Sequence, residues 1–258
     1  MGKPAAHRVQ APRTRPQRAP KKGASGALRS RKTLYLGAVA VAAAVAAALL
    51  ALSIAGGRSN KPTTVAGASE SAALLQGIPQ RGTVLGAPDA PLRLVEYADL
   101  QCTFCARWSR DVLPTLVELY VRPGKLQIEF RGLAFVGPES EIALRTALAA
   151  TGQSRLWDVV ELLYRNQGDE NSGWVNDKFM GSVLASVDGL DGARVLEERD
   201  GGAVTGAMSR AAAQATAAGV TGTPSFGLAR TGEQLQRLDV AALDVPSFAG
   251  PLDAALAE

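Results

Sequence analysis

Apolar positions along this chain fall into three regimes. From Thr33 to Gly57 run 25 residues whose only ionisable side chain is the phenol of Tyr35. As a helix such a run spans about 37 Å at ~1.5 Å per residue, enough for a hydrocarbon core of ~30 Å. A secretory signal has an apolar stretch of only about 7–15 residues, so residues 33–57 read as a transmembrane signal anchor. Ser53-Ile54-Ala55 offers a small-residue cleavage site, which keeps a removed signal open as an alternative. Residues 58–79 then read as a linker: Arg58 to Thr64 holds turn formers without apolar period, and a short helix over Ser69–Leu75 ends at Gly77 and Pro79.

The third regime, residues 80–258, reads as one globular domain. Leu92–Ala98, apolar apart from Arg93 and Glu96, reads as a buried strand. Beyond it, Cys105, Trp108, Val112, Leu116 and Leu119 recur at spacings of three and four, one face of a helix that Pro114 should kink. After the Pro123-Gly124 turn, Leu126–Phe130 alternates like a half-exposed strand, completing a parallel β-α-β unit. A long helical stretch follows, with helices predicted from Pro138 to Gly152, over Trp157–Tyr164, Asp177–Val187, Gly192–Glu198 and Val204–Ala218. Gly222-Thr223-Pro224 is a turn feeding a strand, and a last helix runs from about Pro246 to Leu256.

Charge is uneven. Residues 1–32 carry ten basic side chains and no acidic ones, leaving the other 226 residues at −6 within a chain total of +4. The basic tail has no interleaved aromatics and contains Pro4, Pro12, Pro16 and Pro20, so disorder fits better than nucleic-acid binding. Basic residues before an apolar span keep that side in the cytoplasm. The expected topology is therefore a single-pass cell-membrane protein, N-terminus cytoplasmic, with the domain outside in a bacterial envelope.

The cysteine content sharpens the chemistry. Cys102 and Cys105 are the only cysteines, in a C-x-x-C spacing, and the only histidine is His7. A structural zinc site needs four ligands and a disulfide framework needs several cysteines, so neither a structural zinc site nor a disulfide scaffold fits. An exchangeable dithiol is the favoured reading, with an inert pair or a shared metal site as the alternatives. At a helix start, Cys102 would face unpaired N–H groups that favour its thiolate and make it the nucleophile. Cys105, one turn on, would lie on the buried face and resolve mixed disulfides. Thr103 and Phe104 add no positive charge, which predicts an oxidant of moderate strength. Glu96, if buried, could relay a proton to Cys105, the alternative being a solvated strand residue. Asp99 reads as a turn residue. Trp108, Trp157, Trp174 and Phe226 could line a groove but fit a core better.

Glu96-Tyr97-Ala98-Asp99-Leu100-Gln101-Cys102-Thr103-Phe104-Cys105, with Gly219 to Phe226 far downstream, resembles the DsbA-like thiol:disulfide oxidoreductases of the thioredoxin superfamily. The resemblance implies an α/β thioredoxin fold with a helical insertion. It implies Cys102 as nucleophile, Cys105 as resolving cysteine and Glu96 as the acid before the motif. It further implies a cis bond before Pro224, with Thr103, Phe104, Thr223 and Pro224 at the substrate, and no cofactor beyond the Cys102–Cys105 disulfide. Expected partners are exported proteins with free thiols and a quinone-linked membrane protein that re-oxidises the pair. The best-known members carry proline and histidine where Thr103 and Phe104 stand, so a reductase or isomerase of the same fold stays open, as does a redox-silent binding scaffold.

Overall fold

The computed structural model describes residues 65–258. The basic tail, the predicted anchor at 33–57 and linker residues 58–64 lie outside the described residues. Among the described residues no helix is long and apolar enough to cross a membrane.

Strand β3 (Leu92–Asp99) is the axis of the molecule, and seven of its eight residues are buried. Period-two alternation sends its side chains to opposite faces. Leu92, Leu94 and Ala98 enter the main core, while Val95 and Tyr97 join a smaller cluster with Leu133 and Ala215 on the other face. Glu96 shares the face of Leu94 and Ala98, so the register of the strand alone carries a carboxyl group into the main core.

Five strands flank or extend β3. With β1 (Gln80–Arg81), β2 (Val84–Leu85), β4 (Leu126–Leu133), β5 (Ser225–Arg230) and β6 (Gln236–Leu238), the sheet order is β1-β2-β4-β3-β5-β6. Strand β4 runs parallel to β3, Leu92 opposite Leu126, and β5 runs antiparallel, Tyr97 opposite Ser225. The expectation of a half-exposed β4 is corrected: six of its eight residues are buried. It lies between β2 and β3 in the sheet, with the two clusters covering its faces, so alternation of polarity does not translate into exposure. The short strands β1, β2 and β6 carried no pattern long enough to predict.

The β3–β4 crossover holds helix α2 (Thr103–Asp111), a short α3 (Leu113–Leu116) and a π-helical turn at Val117–Val121. Pro114 sits at the start of α3, where its missing N–H costs least, so the kink falls at Val112. Cys105, Trp108, Val112 and Leu116 are buried as the spacing predicts, but Leu119 is exposed because the π turn rotates it out of the stripe.

Ahead of the sheet, helix α1 (Ala68–Leu75) forms where a short helix was expected, within the segment read as a linker. It is not free: Leu75 and Ile78 are buried in the core, and Arg122 donates to the Leu74 and Gln76 carbonyls at 2.9 and 2.8 Å. Between β4 and β5 stand the inserted helices α4 (Pro138–Ala149), α5 (Leu156–Arg165), α6 (Asp177–Ala185), α7 (Gly192–Glu198) and α8 (Gly202–Ala217). Helix α9 (Val245–Ala257) closes the chain. Its Phe248 meets Phe226 edge-on at 4.8 Å and lies 6.1 Å from Trp108. Trp108, Trp157 and Phe226 are thus core residues, and Trp174 is half-buried against Phe179.

Candidate active site

Cys102 is the N-cap of α2, with extended backbone (φ −69°, ψ 119°) that turns the chain from β3 into the helix. Both thiols are free, so the state described is the dithiol. A side-chain lattice holds the loop between them and β3. The buried Asp99 carboxylate accepts the amides of Gln101 at 2.8 Å, Phe135 at 2.6 Å and Val136 at 2.9 Å. Gln167 donates to the carbonyls of Leu100 and Cys102 at 3.0 and 3.2 Å. Gln101 donates to the Ser140 hydroxyl at 3.0 Å and accepts from the Asn171 amide at 2.8 Å. Asp99, expected in a turn, is instead the last residue of β3, paired with Leu133, and its side chain joins three chain segments.

The two sulfurs stand in unlike environments. The Cys102 thiol is lowered to about 6. The largest cause is the hydrogen bond from the Cys105 thiol; the Thr223 side chain and the Cys105 and Phe104 amides add to it, against the opposing effect of burial. The helix-start amides thus contribute as anticipated, but the second cysteine contributes most. Burial pushes the Cys105 thiol well up, reinforced by the hydrogen bond it gives Cys102 and by the charges of Glu96 and Cys102. One sulfur is a thiolate at neutral pH and the other a thiol.

Thr223 and Pro224 face this pair. The Thr223–Pro224 bond is cis, and in the protonated form Cys102 Sγ donates to the Thr223 carbonyl at 3.2 Å. Both residues are half-buried, whereas Thr103 and Phe104 are exposed, Phe104 at 60%. The exposed aromatic and the Thr223 backbone present a rim around a sulfur that is itself only 6% exposed at residue level. Phe135, held by Asp99 through its amide, is also exposed, at 53%.

Glu96 lies on the buried side. It is fully enclosed, so the solvated-strand alternative is excluded, and neither carboxyl oxygen has a protein partner. Burial drives its pKa well above the carboxylate range, with the charges of Glu161 and Cys102 adding to the effect. A buried carboxyl without donors holds its proton. Among the described residues no cluster of three His, Cys, Asp or Glu side chains converges as a metal site.

The thioredoxin family profile matches residues 80–233, from β1 to just beyond β5. The chain belongs to the thioredoxin family. Its fold is the DsbA-like form: BdbD of Bacillus subtilis in its oxidised state superposes with a TM-score of 0.60 at 19% identity, covering 70% of this chain and 98% of that one. Alpha-DsbA1 of Wolbachia pipientis gives 0.59 at 18% identity, covering 71% and 92%. In sequence, the probable disulfide bond formation protein D of Bacillus cereus is 31% identical over 102 residues, 39% of this chain and 47% of that protein. The match thus spans about half the length of this relative.

Within this thioredoxin-family site, sequence reasoning named Cys102, Cys105, Glu96, Thr223 and Pro224, and the fold brings all five together. It missed Gln101, Gln167 and Asn171, which hold the loop, and Glu161, which acts on Glu96. Glu161 did leave a signal, since Trp157, Glu161 and Tyr164 fall at helical spacing on one stripe, with a charge where an apolar residue belongs.

Proposed function

We propose that this chain is a membrane-tethered, extracytoplasmic thiol:disulfide oxidoreductase acting as an oxidase on exported proteins. One observation carries the reading: an activated Cys102 sulfur, 3.2 Å from the Thr223 carbonyl, beside a buried protonated Cys105. In the forward direction a substrate thiolate attacks Cys102 Sγ of the disulfide and Cys105 leaves with the electron pair. Glu96 supplies the proton that Cys105 takes up. A second substrate thiolate then attacks its partner sulfur in the mixed disulfide and expels Cys102 as a thiolate. Two electrons pass from substrate to the cysteine pair, the substrate gains a disulfide and its second proton goes to solvent.

A thiolate stabilised in the reduced form favours reduction of the disulfide, which supports oxidation of substrates as the physiological direction. The names of the Bacillus relatives, disulfide bond formation proteins, support the same direction. The apolar run at 33–57 after a basic tail supports the tether and the outward-facing domain. Substrate thiols would lie along the rim of Thr103, Phe104, Thr223 and Pro224, and re-oxidation falls to a quinone-linked membrane partner.

The test is the equilibrium potential of the full-length chain against glutathione buffers, together with the redox state of the pair trapped in cells. The expected potential is well above the ~−270 mV of thioredoxin, with a mostly oxidised pair in cells. A potential as reducing as thioredoxin's overturns the oxidase reading.

A further inference from the structure

The helical insertion reaches into the active site with one side chain. Gln167, the second residue after α5, is half-buried. Its Nε2 donates to the Leu100 carbonyl at 3.0 Å and to the Cys102 carbonyl at 3.2 Å. Both partners are acceptors, so the amide nitrogen faces them, and a primary carboxamide has one N–H for each. The Cys102 carbonyl also accepts the Ala106 amide at 3.1 Å, the first hydrogen bond of α2. Leu100 and Cys102 are both buried, so little water competes for either oxygen.

The segment that carries Gln167 is held at both ends. Asn166 Oδ1 accepts the Ala66 amide and its Nδ2 donates to the Ala66 carbonyl, both at 2.9 Å. The Asn171 amide donates to Gln101 Oε1 at 2.8 Å, and Asn171 Nδ2 donates to the Val136 carbonyl at 3.1 Å. Between them a Cβ at Gly168 would come within 2.8 Å of the Trp174 ring, so the bend after Gln167 has no room for a side chain. On the side of β3, the Gln101 amide donates to Asp99 Oδ1 at 2.8 Å and the Cys102 amide to the Asp99 carbonyl at 3.0 Å. Three successive peptide units around Cys102 are thus pinned, the outer two through Gln167.

We infer that Gln167 is a positioning residue for Cys102: by fixing these peptide planes it holds the sulfur between the first amides of α2 and the Thr223 carbonyl, and so sets how readily the cysteine pair is reduced. The amides of Phe104 and Cys105 reach the sulfur from the first turn of α2, and that turn begins at the carbonyl Gln167 holds. Once the two carbonyls are released the turn relaxes and those amides lose their aim. Gln167 touches no reacting atom and acts through the backbone. The titratable groups beside the sulfur are Cys105 on α2, Glu96 and Asp99 on β3 and Tyr164 on α5. Among the described residues none of them hydrogen-bonds to Gln167, so its replacement leaves their own contacts in place. The inference rests on the proposed dithiol chemistry.

The experiment compares Gln167→Leu, similar in size but without donors, with wild type in the full-length chain. Iodoacetamide trapping of the reduced protein across roughly pH 4 to 9 reads the Cys102 midpoint, which should rise by roughly half to one unit. Equilibration with glutathione at about pH 7 should move about three- to fivefold toward the disulfide, because the reduced form loses part of its thiolate stabilisation. Denaturant unfolding separates positioning from plain support. Gln167→Leu should cost more at about pH 8, where Cys102 is ionised, than at about pH 5, and a Cys102→Ser background should abolish that difference. Should Gln167→Leu fold poorly, Gln167→Asn is one methylene shorter, reaches one carbonyl at most and should shift the midpoint the same way by less. An unmoved midpoint and glutathione equilibrium, or a stability cost equal at both pH values, overturns the inference. A wild-type midpoint like that of free cysteine would instead remove the dithiol chemistry on which it rests.

Discussion

Cys102 Sγ and the Thr223 carbonyl oxygen lie 3.2 Å apart across 121 positions of sequence. Sheet register brings them together. Tyr97 of β3 pairs with Ser225 of β5, so the residues just before β5 arrive beside the end of β3, where the chain turns into α2. A reactive sulfur at a helix start thereby gains a facing wall at Thr223 and Pro224, just ahead of β5.

Cys102 should retain its reactivity in acid. With a thiol near 6 it is half ionised at that pH, where an ordinary cysteine near ~8.5 is about 0.3% thiolate. Iodoacetamide trapping of the reduced chain should therefore show a midpoint near 6 for Cys102 and none there in Cys102→Ser. A midpoint close to that of free cysteine would remove the basis for nucleophile assignment.

Phe104 is 60% exposed and its amide helps hold the Cys102 thiolate. Phe104→His places a positive charge beside that sulfur at acidic to neutral pH. A lowering by one pKa unit is about 1.4 kcal/mol, so the potential should rise by about 30 mV. Glutathione equilibration of both forms reads this directly, and an unmoved potential would show that position 104 does not tune the pair.

Asp99→Asn keeps the shape of the loop anchor but turns one acceptor oxygen into a donor facing buried amides. The amides of Phe135 and Val136 share one oxygen, so rotation of the side chain cannot satisfy all three contacts. A loss of about 2–4 kcal/mol in denaturant unfolding is expected, together with slower exchange at Cys102. Stability within error of wild type would mean the three amides have other acceptors.

Arg122→Ala removes the guanidinium that caps the carbonyls of Leu74 and Gln76. These bonds are solvent-exposed, so the cost should be about 1 kcal/mol, confined to α1. Hydrogen exchange should speed up in Ala68–Leu75, with dithiol exchange unchanged. Equal protection in both proteins would show that Leu75 and Ile78 hold the helix unaided.

Glu161 gives stability a pH slope. Its carboxyl is raised to about 7 by burial, whereas in the unfolded chain it sits near ~4.3. Between these values the folded state keeps a proton that the unfolded state has released, so stability falls as pH rises, by up to about 1.4 kcal/mol per unit. Glu161→Gln should therefore gain on the wild type from about pH 5 to about pH 8 in denaturant unfolding of the reduced protein. Parallel pH curves for the two proteins would contradict a protonated Glu161.

How much was legible can be judged residue by residue. The β3–α2–β4 unit was readable because apolar runs and three-and-four spacings are local, and the cysteine pair because elimination left one chemistry. Strands β1, β2 and β6 were not, since two or three residues carry no period and form only against a neighbour. The half-exposed reading of β4 failed because its alternation of polarity is local, while its burial depends on elements brought in from elsewhere in the chain. Gln101, Gln167 and Asn171 were invisible as a set, because polar side chains declare their partners only once distant loops meet.

The sequence by itself determined which atoms can react: two cysteines one helical turn apart, an acid six residues upstream, and a Thr-Pro pair before a late strand. Only the tertiary structure decided their protonation. Register put Glu96 among apolar side chains, and unlike surroundings split the two thiols: the hydrogen bond from Cys105 lowers Cys102, while burial keeps Cys105 neutral. The reason is physical: local spacing sets geometry along one element, while the energy of a charge depends on everything that replaces water around it.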